Sequence, residues 1–207
     1  AIETEGQSLV KGLENLIGDL ELNKGELVVK LADEKAFQLG GNIATTPGKV
    51  VFRNRMMELI QYEPTTETVH KTPLIVFPPW INKFYILDLK EQNSLVKWIT
   101  DQGYTLFVVS WVNPDPSYRD VGMEHYIEEG YLTAIEEVKA ITGEKQVNAV
   151  GYCIAGTTLS LTLSLLKQRG DTSIKSATFF TALTDFSDQG EFAPFLTNDF
   201  IDGIDEE

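Results

Sequence analysis

Between Val147 and Thr158 the chain reads Val-Asn-Ala-Val-Gly-Tyr-Cys-Ile-Ala-Gly-Thr-Thr, and few backbones satisfy such a run. The first half is a buried strand and the second half opens a helix. A strand that breaks directly into a helix brings two backbones together, so residues two before and two after the bend must be small. Gly151 and Ala155 meet that demand around Cys153, with Gly156 beside them. A lone cysteine is most often inert packing. At the N-terminus of a helix, however, the dipole and the free N–H groups favour the thiolate, which is the attacking species. We therefore read Cys153 as a nucleophile, and its single occurrence rules out an internal disulfide.

The chain has 207 residues, 43% hydrophobic and 23% charged, enough to bury the core of one domain or most of one. Its 31 acidic against 17 basic side chains give a net charge of −14, which repels a polyphosphate track and excludes nucleic acid as a partner. No Cys/His cluster of metal-binding spacing occurs, so no metal is expected, and a reducing cytosol suits one free thiol. Neither end shows a basic segment followed by an apolar run. No window approaches the roughly 20 apolar residues of a transmembrane segment, so the expected location is cytoplasmic. The chain begins at Ala1 and runs out in Asp199–Glu207 without a terminal pattern, and both ends are expected to be cuts.

Periodicity organises the rest. Ser8 is placed to cap a helix with Leu9, Leu13, Leu16 and Leu20 on one side, stopped by Asn23-Lys24-Gly25. Gly48 to Tyr62 reads as a hairpin closed by Pro64. Then come a strand at Leu74–Phe77, a helix from Ser94 to Thr100 and a strand at Thr105–Trp111. A Pro-rich turn at Asn113 to Pro116 leads into a long helix from Met123 to Ile141, with Ile127, Tyr131, Ile135 and Val138 on one face. The strand ending at Cys153, a helix from Ala155 to Lys167 and a strand at Ala177–Phe180 complete the pattern. Continuous apolar strands joined by helices imply a mostly parallel sheet with flanking helices. With the elbow, this predicts an α/β-hydrolase fold, incomplete and carrying an N-terminal helical extension. The expected division is a helical region over 1–47, the N-terminal part of the catalytic domain over 48–184 and the start of a cap over 185–207.

A nucleophile that attacks a carbonyl needs donors for the oxyanion. In this fold one is the N–H after the nucleophile, here Ile154, and the other comes from the loop after an earlier strand. That loop reads Pro78-Pro79-Trp80-Ile81-Asn82, and the prolines have no N–H, which leaves Trp80, Ile81 or Asn82. The Trp80 side chain fits a packing role and the wall of a substrate channel equally, and an apolar channel is expected near Trp80 and Phe84. Asp88 and Lys90 read as a solvated turn or surface pair. The base is missing: no histidine follows Cys153, His70 precedes its strand and so lies at the opposite end of the sheet, and His125 opens a flanking helix. Asp185 and Asp188 follow the elbow but have no histidine to orient.

Several stretches together closely resemble the polyhydroxyalkanoate synthases. They are Asn42–Val51, Tyr62-Glu63-Pro64-Thr65-Thr66, Pro78–Leu89, Asn93–Trp98, Gly151–Thr157 and Thr184-Asp185-Phe186-Ser187-Asp188. The earlier part is similar to the class I type. The resemblance implies a granule-associated, often dimeric acyltransferase. It would polymerise 3-hydroxyacyl-CoA, chiefly 3-hydroxybutyryl-CoA, into a growing polyester chain on a Cys153 thioester, releasing coenzyme A. It also implies an aspartate and a histidine farther along, so these 207 residues alone are expected to be inactive. No cofactor is implied, since the coenzyme A thioester is the substrate, and Lys83 is a candidate for its phosphates. Ala155 stands where glycine is usual. Two other functions fit the elbow or the family: a cysteine hydrolase of the dienelactone type, and a non-enzymatic granule protein.

Overall fold

The structure, a computed structural model, describes residues 1–29 and 31–205. Alternation along the strands dictates its layers. In β2 (Met57–Tyr62), Met57 and Leu59 enter one apolar cluster while Ile60 and Tyr62 enter another. β3 (Leu74–Phe77) sends Ile75 and Phe77 to the first and Val76 to the second. β4 (Leu106–Trp111) divides Phe107, Val109 and Trp111 from Leu106 and Val108 in the same way. Successive side chains on a strand point to opposite faces, so both faces of these strands must be covered.

With β1 (Gly48–Arg53), β5 (Val147–Tyr152) and β6 (Ile174–Phe180) they form one six-stranded sheet in the order β1-β2-β4-β3-β5-β6. β1 and β2 form the expected hairpin, β2 runs antiparallel to β4, and the remaining pairs are parallel. The parallel connections are helical. α2 (Leu95–Asp101) lays Val96 and Ile99 on the second cluster. The first cluster is covered by α5 (Ile154–Arg169), through Ala155 and Leu159, and by the long helix between β4 and β5, through Tyr131, Ala134, Ile135 and Val138. This is the mostly parallel, helix-flanked sheet that the continuous apolar strands predict. Among the described residues no helix is long and apolar enough to cross a membrane.

Four local expectations need correction. α1 spans Gln7–Leu22 and begins before Ser8, whose N–H donates to Thr4 Oγ1 at 3.2 Å; Gly6, at φ 87°, takes the cap position. The helix buries none of its residues, although its stop at Asn23 is as read, with Lys24 and Gly25 at positive φ. Second, the long helix is not uniform. It runs as α3 (Met123–His125), a π-helical stretch (Tyr126–Leu132) and α4 (Thr133–Thr142), because Gly130 and its neighbours fold around the Trp111 indole. Third, β6 starts three residues earlier than its apolar centre suggests, since pairing with β5 from Ile174↔Val147 to Phe180↔Tyr152 carries polar positions along.

The fourth correction concerns Asp88, which is 0% exposed and not a surface residue. Its carboxylate accepts from Thr46 Oγ1 (2.7 Å), Thr46 N (3.1 Å) and Ser94 Oγ (2.6 Å). Ser94 in turn caps α2 by accepting the Lys97 N–H at 2.8 Å. A buried carboxylate must find donors, and these come from Thr46, 42 residues back, and Ser94, six residues on, neither of them signalled by the neighbouring Lys90. The clasp ties the end of the extension to the loop that follows β3.

Candidate active site

Cys153 sits between β5 and α5 at φ 56°, ψ −127°, and is exposed. That conformation is sparsely populated for a residue with a Cβ, costs on the order of 1–3 kcal/mol, and persists only where its surroundings enforce it. They do. A Cβ on Gly156 would stand 2.4 Å from that of Ala182 and 3.0 Å from the Gly151 oxygen, and one on Gly151 would stand 2.7 Å from the Gly156 Cα. The tight crossing is therefore between Gly151 and Gly156, under the loop after β6, and not at Ala155. Ala155 is fully buried in the first cluster, where its methyl belongs. The end of β6 and the loop after it hold the bend by hydrogen bonds: Cys153 N–H donates to Phe180 O (2.8 Å) and Thr157 Oγ1 to Leu183 O (2.6 Å).

Backbone donors remain open around the thiol. The first N–H groups of a helix have no intrahelical acceptor, and among the described residues Ile154 N–H has no partner. In the loop after β3, Asn82 N–H donates to Pro79 O at 3.0 Å, which removes Asn82 from the candidates. Trp80 and Ile81 N–H have no acceptor among the described residues. The loop is anchored at its base, where Trp111 Nε1–H donates to Pro78 O at 2.8 Å in the interior. The Trp80 indole packs on Tyr126, with ring centroids 5.1 Å apart, and its Nε1 lies 3.4 Å from Thr158 Oγ1.

Trp80, Pro114, Tyr118, Val121, Met123 and Tyr126 line a largely apolar cavity of about 220 Å³. Phe84 does not share it; it packs, partly buried, against the second cluster. Lys83 is exposed at the start of the short 3₁₀ turn Phe84–Leu87. His70 precedes β3 and packs at a tilt against the Tyr104 ring, whereas Cys153 follows β5; because β3 and β5 are parallel, the two stand at opposite ends of the sheet. His125 Nδ1 accepts the Gly122 N–H at 3.0 Å at the start of α3. Asp185 and Asp188 close local turns by accepting from Ser187 N and Gly190 N. Among the described residues no group of three or more His, Cys, Asp or Glu side chains could hold a metal ion.

Sequence reasoning missed the Gly156–Ala182 contact and the aromatic group of Trp111, Tyr126 and Tyr131 behind the loop. The spacing Tyr126, Gly130, Tyr131 signals the latter only if a π register is assumed.

This geometry can be set beside known proteins. Residues 1–99 match the family described as Poly-beta-hydroxybutyrate polymerase (PhaC) N-terminus. The chain is 50% identical over 205 residues to the poly(3-hydroxyalkanoate) polymerase of Methylorubrum extorquens, which covers 99% of this chain and 34% of that protein. It is 43% identical over 195 residues to the polymerase subunit PhaC of Cupriavidus necator, covering 94% of this chain and 32% of that one. Among solved structures, an ester-hydrolase from the metagenome of Lake Arreo superposes with a TM-score of 0.52 at 13% identity, over 77% of this chain and 55% of its own. An alpha/beta hydrolase enzyme from the same lake gives 0.52 at 10% identity, over 75% and 50%. At such identity the likeness is one of fold, and the fold is an incomplete α/β-hydrolase. The chain, which spans about a third (34%) of the length of the curated relatives it matches, belongs to the poly(3-hydroxyalkanoate) polymerase family.

Proposed function

We propose that the protein carrying this chain is an acyltransferase that polymerises (R)-3-hydroxyacyl-CoA, 3-hydroxybutyryl-CoA in particular, with Cys153 as the covalent nucleophile. The observation that carries the reading is the exposed thiol at φ 56° beside unpartnered backbone N–H groups. In the first step the Cys153 Sγ attacks the acyl carbonyl carbon, its proton passing to a base. The carbonyl oxygen becomes an oxyanion, held by Ile154 N–H and by Trp80 or Ile81 N–H. The bond to the coenzyme A sulfur then breaks and the base returns its proton to that sulfur, so coenzyme A leaves as the thiol and the base is free for the second step. One thioester has replaced another at nearly equal free energy, so the acyl group stays activated. In the second step the hydroxyl of a further 3-hydroxyacyl unit loses its proton to the base and attacks the Cys153 thioester. An ester bond forms and the Cys153 thiolate is released.

Neither His70 nor His125 is assigned as that base, which the proposal places outside these 207 residues. A thioester must be shielded from water, and the apolar cavity lined by Trp80, whose N–H is a candidate oxyanion donor, is the surface that fits that role. A dimeric, granule-associated, cytoplasmic enzyme is part of the same reading on the strength of the family alone. In the full-length protein, Cys153→Ala is expected to abolish coenzyme A release from 3-hydroxybutyryl-CoA. Release at the wild-type rate overturns the assignment, and free acid in place of polymer would make the protein a hydrolase.

A further inference from the structure

The two groups of oxyanion donors lie on different elements. Ile154 N–H belongs to the first turn of α5, while Trp80 and Ile81 N–H belong to the loop after β3. Their spacing decides how well they hold an oxyanion, and one side chain touches the base of both. Tyr131, 0% exposed, stacks its ring on Phe77, the last residue of β3, with centroids 4.0 Å apart and planes at 12°. Its hydroxyl donates to the Ala155 carbonyl, in the first turn of α5, at 2.7 Å. Burial pushes the phenol far above its usual range, so it stays a donor.

The helix geometry is adapted to this contact. In the π-helical stretch the i→i+5 register brings residues five apart toward one face, and Tyr126 and Tyr131 are such a pair. Tyr126 meets Trp80 and Trp111 at 5.1 and 5.5 Å, and Tyr131 meets Trp111 at 5.6 Å. Gly130 lies between them because a Cβ there would come within 2.7 Å of the Trp111 ring. Trp111 holds the Pro78 carbonyl, so the aromatic group grips the loop by its backbone as well.

We propose that Tyr131 is a positioning residue that fixes the Ile154 N–H against the Trp80 and Ile81 N–H groups, and so sets the rate of acyl transfer to Cys153. The inference rests on the acyl-transfer reading above. Its test uses two reactions of the same sulfur. Acylation by an aryl thioester of 3-hydroxybutyrate passes through an oxyanion; alkylation by iodoacetamide does not. In Tyr131→Phe, acylation at a single alkaline pH is expected to fall about tenfold, while alkylation stays within about twofold of wild type. Tyr62→Phe is the control: Tyr62 is buried but its hydroxyl has no partner among the described residues, and both rates should be unchanged. Wild-type acylation of the Tyr131→Phe protein overturns the positioning role, as does an equal fall in both reactions, which would signal a general loss of structure. A full-length wild-type protein that alkylates but never acylates overturns the acyl-transfer reading itself, and this proposal with it.

Discussion

The elbow and the segment that follows β6 lie close together, and they treat apolar surface in opposite ways. Around Cys153, Gly151, Ala155, Gly156, Thr158 and Leu159 are all buried, and the strained bend is gripped from both sides. From Leu183 to Gly203 every described side chain is exposed, including Phe186, Phe192, Phe195 and Leu196. Phenylalanine content did not bury the second region, and small, weakly apolar residues did not leave the first in water. What differs is the number of backbones that converge, because close packing and not composition makes a position intolerant.

The largest test of that contrast is Gly156→Val. Its side chain would overlap Ala182 and the Gly151 carbonyl, and the cost of forcing the crossing apart is about 3 kcal/mol. Urea denaturation at unchanged m-value would read it, and a wild-type midpoint would show the crossing to be loose. Next comes Asp88→Ala, which strips the acceptor from the Thr46 N–H and hydroxyl and from Ser94. Partly buried donors without partners cost about 1 kcal/mol, with restoration expected in part from Asp88→Asn.

A smaller effect comes from the pair that joins the hairpin to the π-helical stretch. Arg55 donates Nε–H to Glu129 Oε2 at 2.6 Å and holds the Glu129 carboxyl below the usual carboxylate range. A depressed folded-state value means that the pair stabilises above the ordinary glutamate pKa, and that the contribution is lost as pH falls through the lowered value. The Tm difference between wild type and Glu129→Gln should therefore be present at neutral pH and vanish in acid. A difference that grows toward acid would contradict the sign. At the bottom of the scale, Phe192→Ser should change stability by no more than about 0.5 kcal/mol, since that side chain is 74% exposed. A larger loss would mean that the tail is packed after all.

Legibility in the sequence follows the same division. The strands could be read because apolar residues in β2, β3 and β4 alternate between two covered faces, and that pattern is local. The bend could be read because Gly151 and Ala155 flank a cysteine two residues to either side, although the tightest approach falls one residue later, at Gly156. Contacts between distant segments were out of reach: Thr46 with Asp88, Ala182 with Gly156, Tyr131 with Phe77. The π register was hidden for a different reason. A period of 3.6 and a widened one place Tyr131, Ile135 and Val138 inside equally well, and only the Trp111 indole against Gly130 distinguishes them. Phe84 illustrates the limit within the site: its position near Trp80 in sequence suggested a shared channel, yet the 3₁₀ turn carries it onto the other face of the sheet.

The central claim is that the sulfur of Cys153 accepts the acyl group. Incubation of the full-length protein with 3-hydroxybutyryl thioester, followed by acid quench, digestion and peptide mass analysis, tests it most directly. The account predicts a 3-hydroxybutyryl adduct on the peptide containing Cys153, removable by neutral hydroxylamine as thioesters are. An unmodified Cys153 in folded protein whose thiol still reacts with iodoacetamide, or an adduct on another residue alone, would contradict it.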